Sequence, residues 1–262
     1  MADTKTNKDK ETVATVYPLT QHLEELRKRI VYIFICLLIV FIGVYSQGKE
    51  LMNILMQPVL KFMPENSTMA FLKLTEGFFT ELKLSFLAAV AISMPFLLYQ
   101  IWKFVAPGLY AHERKYVFGF VISASILFFV GACFAYFIVF PLGFQFFLKY
   151  AGADWNMVAS LSVSWYLSFV TQLIMAFGIV FELPVIIFFL VKIGLVTEVT
   201  LKKYRRYAIV IIFVLAAVLT PPDVISQLLM AAPLLILYEL SIFIAKIFGK
   251  KEEVSHEVDI YE

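Results

Sequence analysis

The chain has 262 residues, of which 61% are hydrophobic and only 16% are charged, and its mean hydropathy is +0.84. A water-soluble domain cannot carry this much apolar surface, so we expect lipid to be the solvent around most of the chain. The formal net charge of +2 is too small to indicate nucleic acid as a partner.

Six segments predict membrane-spanning helices, because a bilayer core of about 30 Å needs about 20 helical residues. The first four are 30–45, 84–102, 116–140 and 165–190. The apolar stretch 207–244 is too long for one span. It is interrupted by Thr220, Pro221, Pro222 and Asp223, so we expect two short helices, the fifth and the sixth. The sequence therefore predicts an all-α integral membrane protein with six transmembrane helices.

Lys and Arg residues are distributed unevenly between the connections. Seventeen of the 22 lie in the two tails and in the second and fourth connections, and four lie in the other connections. Basic residues near the ends of spans are retained in the cytoplasm, so both termini are expected there. We expect residues 1–18 to form a disordered cytoplasmic tail, residues 19–248 the membrane domain and residues 249–262 a second cytoplasmic tail.

The first outer connection, 46–77, is long for a loop. Its apolar residues Leu51, Ile54, Leu55 and Leu60 lie around Pro58. This pattern predicts a short amphipathic helix lying across the outer surface, where it could act as a cap.

Glu182 is the one acidic residue that we place deep in an apolar span. It lies on one helix face with small or polar residues spaced three or four apart, namely Ser168, Thr171, Met175 and Gly178. A carboxyl group is costly in lipid, so this face is expected to meet protein or water. We group Thr171 and Gln172 with Glu182 as an intramembrane polar pocket. Pro184 removes a backbone donor one turn away, which predicts a kink.

Two other interpretations of Glu182 stay open. Its carboxyl could form an interhelical hydrogen bond with only a packing role, and the whole protein could separately be a structural scaffold for other membrane proteins. The carboxyl could also serve an ion-coupled carrier of small solutes.

The segment before the first span reads PLTQHLEELRKRI and predicts an amphipathic helix. The pairs Glu24 with Lys28 and Glu25 with Arg29 are four residues apart, and we expect them to be solvated surface bridges. A second cytoplasmic acid, Glu113, lies in a connection with apolar neighbours. Two acids near the membrane interface suit a basic peptide.

Hydrolytic chemistry is not indicated. The three histidines lie outside the spans, Cys36 and Cys133 lie inside apolar segments, and no phosphate-binding glycine loop is present. We therefore expect no enzyme activity, no cofactor and no metal.

Five motifs, in order along the chain, resemble the TatC family, the signal-peptide receptors of the twin-arginine protein translocase. They are HLEELRKR at 22–29, APGLYAHER at 106–114, FAYFIVFP at 134–141, FGIVFELPV at 177–185 and LTPPDVISQ at 219–227. The resemblance implies a receptor in the bacterial inner membrane that binds twin-arginine signal peptides of folded cargo. It also implies single-span TatA-type and TatB-type partners, other copies of the chain, and transport driven by the proton-motive force.

The resemblance also implies roles for single residues. Glu25 and Glu113 would bind the paired arginines, Arg27 would organise the patch, and Phe104 and Leu109 would pack against apolar residues of the peptide.

Further roles follow from the same resemblance. Glu182 would lie in a concave, membrane-facing pocket, and Thr220 and Gln227 in a partner-docking surface. Pro58 matches a position in the outer cap, and Pro184, Pro221, Pro222 and Asp223 would be structural. Some members of the family carry an acid in the outer loop near Ser162. This chain has Leu161, Ser162 and Val163 there, so the role of that acid is not carried over to it.

Overall fold

The structure is a computed structural model that describes residues 19–63, 68–105, 117–152, 160–220 and 224–249. In chain order these residues form α1 (Leu19–Tyr45), α2 (Gly48–Leu60), β1 (Thr68–Ala70), α3 (Glu76–Val105), α4 (Val117–Phe134), a π-helix (Ala135–Val139), α5 (Phe140–Gly152), β2 (Ser160–Ser162), α6 (Val163–Val180), α7 (Leu183–Lys192), α8 (Glu198–Leu219) and α9 (Val224–Phe248). The expected tails are outside the described residues, apart from the first residue of the C-terminal one.

Within the part of the chain that the structure describes, five segments are long and apolar enough to cross a membrane. They are His22–Tyr45, Glu76–Phe104, Phe118–Phe146, Val163–Lys192 and Gln227–Phe248. The remaining span, the fifth in chain order, is α8, whose first nine residues include five charged side chains. Its apolar part begins at Tyr207 and rises only about 20 Å, which fits the short fifth helix that the sequence predicts. In contrast, α9 has 25 residues and continues through Pro233, so the sixth helix is longer than expected.

Consecutive spans run in opposite directions, so basic residues gather at one end of the bundle. We call the end at which α1 and α8 begin the basic end. Exposed cations there include Arg27, Lys28, Lys203 and Arg206. The other end, where α2 and the two strands lie, is called the opposite end.

Helix α6 lies at the centre of the main core. Its side chains Tyr166, Val170 and Phe177 are almost completely buried, and they belong to a cluster that also contains residues of α2, α8 and α9. Helix α1, by contrast, packs along α3, and none of its apolar span is buried inside the protein. Glu25 on α1 and Glu182, just after α6, therefore lie in very different surroundings.

Two glycines allow α4 and α6 to approach closely. A Cβ atom on Gly131 would lie 2.7 Å from the carbonyl oxygen of Phe177, and one on Gly178 would lie 2.6 Å from the ring of Phe128. Both separations are shorter than van der Waals contact, so any larger side chain would push the helices apart. This contact supports the end of α6, where Glu182 follows.

The amphipathic helix expected in the first outer connection is α2. Its buried face is Leu55 and Val59, while Ile54 and Leu60 are exposed, so the apolar stripe differs from the predicted one. Pro58 lies inside this helix and cannot donate to the carbonyl of Ile54.

Two tyrosines bond to this part of α2. The hydroxyl of Tyr136 donates to the carbonyl of Ile54 at 2.8 Å, and the hydroxyl of Tyr166 donates to the carbonyl of Leu55 at 2.7 Å. Proline thus frees a backbone acceptor in α2, and a tyrosine from the spans uses it. This arrangement ties the cap to the bundle.

A short parallel strand pair adds to the mostly helical fold at the opposite end. Strand β1 pairs with β2 with Met69 opposite Leu161. The carboxylate of Glu76 accepts hydrogen bonds from the hydroxyl of Ser162 at 2.8 Å and from the amide of Lys73 at 3.0 Å. The start of α3 is therefore fastened to the strand that precedes α6.

Candidate functional site

The carboxylate of Glu25 lies at the basic end, where α1 meets α3. It accepts a short hydrogen bond from Nη2 of Arg29. The Nη1 group of Arg29 donates to Oε1 of Gln100 at 2.9 Å. Since Gln100 is buried in α3, the acid is connected through the arginine to the interior of the bundle.

This geometry corrects one expectation. The side chains of Glu24 and Lys28 are 66% and 64% exposed, so their 3.1 Å pair is the solvated surface bridge that the sequence predicts. The side chains of Glu25 and Arg29 are only 31% and 11% exposed. The second pair is therefore part of the α1–α3 contact, because α1 turns this face towards a neighbouring helix.

An aromatic contact lies beside the acid. The rings of His22 and Phe104 stack with their centroids 4.2 Å apart and their planes at 23°. Phe104 is half-buried and Arg27 is exposed. Of the five residues expected to bind a signal peptide, the structure brings Glu25 and Phe104 to the same α1–α3 contact, and Leu109 and Glu113 are outside the described residues.

Glu182 lies at the break between α6 and α7. The helix ends at Val180 and resumes at Leu183, with Pro184 in its first turn, so the expected kink is confirmed. The side chain is 5% exposed, and Oε1 has no hydrogen-bond partner among the described residues. A buried oxygen without a donor is costly, which makes it a candidate acceptor for a group from outside the chain.

The predicted polar stripe of α6 is turned towards protein. Thr171, Gly178 and Glu182 are buried, and Ser168 is half-buried. The hydroxyl of Thr171 donates to the carbonyl of Leu167 in its own helix. Gln172 is exposed and is not brought to the buried face, because it lies about 100° around the helix from Thr171.

The structure also describes two residues of the expected partner-docking surface. The hydroxyl of Thr220 donates to the carbonyl of Ala216 at 2.8 Å. The amide of Gln227 donates to the carbonyl of Phe213 at 3.0 Å, which links α9 to α8. Pro221, Pro222 and Asp223 are outside the described residues.

An apolar groove of about 560 Å³ separates residues 134–142 from α9. Phe181, the residue before Glu182, forms part of its wall, together with Pro233 of α9. The groove gives the bundle a concave apolar surface next to the break between α6 and α7.

One acid inside a span was missed. Glu239 lies in α9 and forms a 2.8 Å ion pair with Arg205, which precedes the apolar part of α8. The signal was present in the sequence, because Glu239 lies within the stretch 207–244 that we assigned to the fifth and sixth spans. Its partner is near the basic end of α8, so this acid has the counter-ion that Glu182 lacks among the described residues.

Comparison with known proteins gives matches along most of the chain. A family model described as "Sec-independent protein translocase protein (TatC)" matches residues 21–233. The TatC protein of Desulforapulum autotrophicum is 46% identical over 240 residues, which cover 92% of this chain and 88% of the relative. The TatC protein of Escherichia coli K12 is 40% identical over 240 residues, which cover 92% of each chain.

Two solved structures share the fold. A crystal structure of the twin arginine translocase receptor TatC superposes with a TM-score of 0.79 at 42% identity and covers 86% of this chain and 98% of the other. A second, in the detergent DDM, has a TM-score of 0.80 at 41% identity and covers 86% and 99%. With matches in both sequence and six-span fold, the chain belongs to the TatC family and is a multi-pass membrane component of the twin-arginine protein translocase.

Proposed function

We propose that the chain is the receptor subunit of this translocase, which binds the twin-arginine signal peptides of folded cargo proteins. The observation that carries the proposal is the Glu25 carboxylate, held at the basic end of the bundle beside Phe104 and still partly exposed. The similar solved structures are described as twin arginine translocase receptors, which supports the same reading.

The chemistry of the patch suits an arginine pair. A guanidinium group can donate two parallel, charge-assisted hydrogen bonds to one carboxylate, whereas an ammonium group acts as a point charge. Glu25 and Glu113 would each take one arginine. Phe104, with Leu109, would contact the apolar residues that flank the arginines.

The orientation follows from the distribution of charge. The basic end faces the cytoplasm and both termini lie there, in the inner membrane of a bacterium. The chain hydrolyses nothing, and the proton-motive force supplies the energy for transport.

Partner subunits would bind away from the peptide patch, at the apolar groove. The groove between residues 134–142 and α9 offers an apolar wall for the single helix of a TatA-type or TatB-type subunit. A polar group on that helix could donate to Oε1 of Glu182, and further copies of the chain would complete the receptor complex. Thr220 and Gln227 lie at the end of the same α8–α9 hairpin.

The test is a binding assay with the full chain in lipid nanodiscs. A fluorescent signal peptide with Arg-Arg is compared with the same peptide carrying Lys-Lys. We expect the Arg-Arg peptide to bind more tightly, since both peptides carry the same charge and differ in hydrogen-bond geometry. Equal affinity, or no binding of either, would reject the receptor function.

The alternative, an ion-coupled carrier, is favoured by one observation, the unpartnered buried oxygen of Glu182. A carrier should move a small solute when reconstituted without other subunits and should lose this activity in the Glu182→Gln variant. A receptor should be inactive in this assay.

A further inference from the structure

The guanidinium of Arg29 is buried at the contact between α1 and α3. Its side chain is only 11% exposed. Nη1 donates to Gln100 at 2.9 Å and Nη2 donates to Glu25, while Nε has no partner among the described residues. A cation in such a place needs its remaining acceptors, because an uncompensated buried charge is strongly destabilising.

We propose that Arg29 is a positioning residue for peptide recognition, which holds the carboxylate of Glu25 in the orientation that a guanidinium of the signal peptide requires. The proposal rests on the receptor function above and adds to it a reason for arginine specificity. Arg29 itself does not touch the peptide.

The contact leaves room for a second cation on Glu25. Arg29 bonds to Oε1, and a carboxylate has about four lone-pair sites on its two oxygens. Among the described residues no other group bonds to this carboxylate, so Oε2 remains as an acceptor on a side chain that is 31% exposed. The carboxylate can be fixed by one arginine and still bind another.

Arg29 is not a competitor that the peptide displaces. Its second anchor, Gln100, is 6% exposed, and the stacked pair of His22 and Phe104 closes the α1–α3 contact beside it. Removing Glu25 from Arg29 would leave the guanidinium buried with one neutral partner. It costs less free energy for Arg29 and the peptide arginine to share the carboxylate of Glu25 than for the peptide arginine to replace Arg29.

A fixed carboxylate explains discrimination as well as affinity. A mobile Glu25 would still attract any cation, because charge attraction depends weakly on orientation. The two parallel hydrogen bonds to a guanidinium need a defined carboxylate plane. Loss of Arg29 should therefore weaken the binding of Arg-Arg more than the binding of Lys-Lys, so that the preference for Arg-Arg declines.

The experiment measures the Kd of both peptides for the full chain in nanodiscs. Arg29→Lys keeps the charge but cannot bond to Gln100 and Glu25 with the same fork, and Arg29→Gln removes the charge. We expect both variants to bind Arg-Arg about tenfold more weakly, the effect of losing one charge-assisted hydrogen bond. The affinity for Lys-Lys should be unchanged or higher. Lys28→Gln, which alters the exposed pair with Glu24, is the matched control and should leave both affinities unchanged.

A double-variant cycle separates positioning from mere support of the fold. If Arg29 acts through Glu25, then Arg29→Gln has no further effect on Arg-Arg binding in a Glu25→Gln background. A role in helix packing alone would weaken binding equally in both backgrounds and would overturn the proposal. Unchanged or tighter Arg-Arg binding in Arg29→Gln would overturn it too.

A second variant covers the case in which Arg29→Gln does not fold. Gln100→Leu keeps Arg29 but removes its anchor, and it should lower the Arg-Arg preference in the same direction. An unchanged preference in this variant contradicts the proposal. If the unaltered chain does not prefer Arg-Arg, the receptor function itself fails. If the unaltered chain prefers Arg-Arg and the variants show the same preference, only the proposed role of Arg29 fails.

Discussion

The hydroxyl of Tyr136 donates a 2.8 Å hydrogen bond to the carbonyl of Ile54, the backbone group that Pro58 leaves without its helical donor. This bond joins the π-helix in the third span to the helix that caps the opposite end of the bundle. The neighbouring bond from Tyr166 to Leu55 fastens the same helix to α6. Pro58 therefore frees the carbonyl of Ile54 as an acceptor, and the hydroxyl of Tyr136 holds α2 against the bundle through it.

Removing these hydroxyls should loosen the cap to different extents. Tyr136→Phe should lower the free energy of unfolding by about 1 kcal/mol, since Ile54 is exposed and water can replace the donor. Tyr166→Phe should cost about 1–3 kcal/mol, because this tyrosine is 1% exposed and water cannot take the place of its hydroxyl. Denaturant unfolding in detergent measures both. Tyr32→Phe, at an exposed position of α1, is the control and should have no effect, and equal losses in all three variants would refute the assignment.

The close approach of α4 and α6 should make one glycine intolerant of change. Gly131→Ala should destabilise the fold by about 1–3 kcal/mol, because its Cβ would lie 2.7 Å from a backbone oxygen that cannot move independently. Gly119→Ala in the same helix has no described atom within 4 Å of its Cβ. It should be neutral or stabilising by up to about 1 kcal/mol. Thermal unfolding of the two variants side by side tests this, and a tolerant Gly131 would contradict the helix contact.

Glu182 should show opposite effects on stability and function. Glu182→Met replaces a buried acid by an apolar side chain of similar length, so the free energy of unfolding should stay the same or rise by about 1 kcal/mol. Co-purification of a single-span partner subunit and export of a twin-arginine cargo should both decline. Binding of the Arg-Arg peptide should not change, since Glu182 lies on α6–α7 and the peptide patch on α1–α3. A Glu182→Met variant that exports normally would remove this residue from the mechanism.

The peptide patch should depend on two acids and on salt. Glu25→Ala and Glu113→Ala should each weaken binding of the Arg-Arg peptide. Glu24→Ala should not, because Glu24 lies on the solvated side of α1 with Lys28. Glu25→Ala should also lower the free energy of unfolding, because it leaves the buried guanidinium of Arg29 without its charged partner. Added salt should weaken binding, because dissolved ions screen the attraction between exposed charges, with a screening length of about 8 Å at physiological ionic strength that shortens as salt is added. Titrations of labelled peptide at increasing salt measure this. An affinity independent of salt would assign the binding to apolar contacts instead.

The sequence by itself determined the class of the protein, the positions of its spans, the kink before Pro184 and the family. The class, the spans and the kink each depend on a pattern within one segment, such as apolar length, charge or a proline, and such patterns are read along the chain. The family depends on five short motifs in a fixed order along the chain. The polar face of α6 was predictable for the same reason, since a helical period places its residues on one side.

Only the tertiary structure decided which groups meet. Arg29 and Gln100 are 71 residues apart, and Tyr136 and Ile54 are 82 apart. Such contacts depend on the rotation and register of packed helices, which hydrophobic periodicity does not specify. The pair Glu25 and Arg29 was visible in the sequence as a four-residue spacing. Its burial against α3 was not, and that burial turns an ordinary surface bridge into part of a candidate binding site.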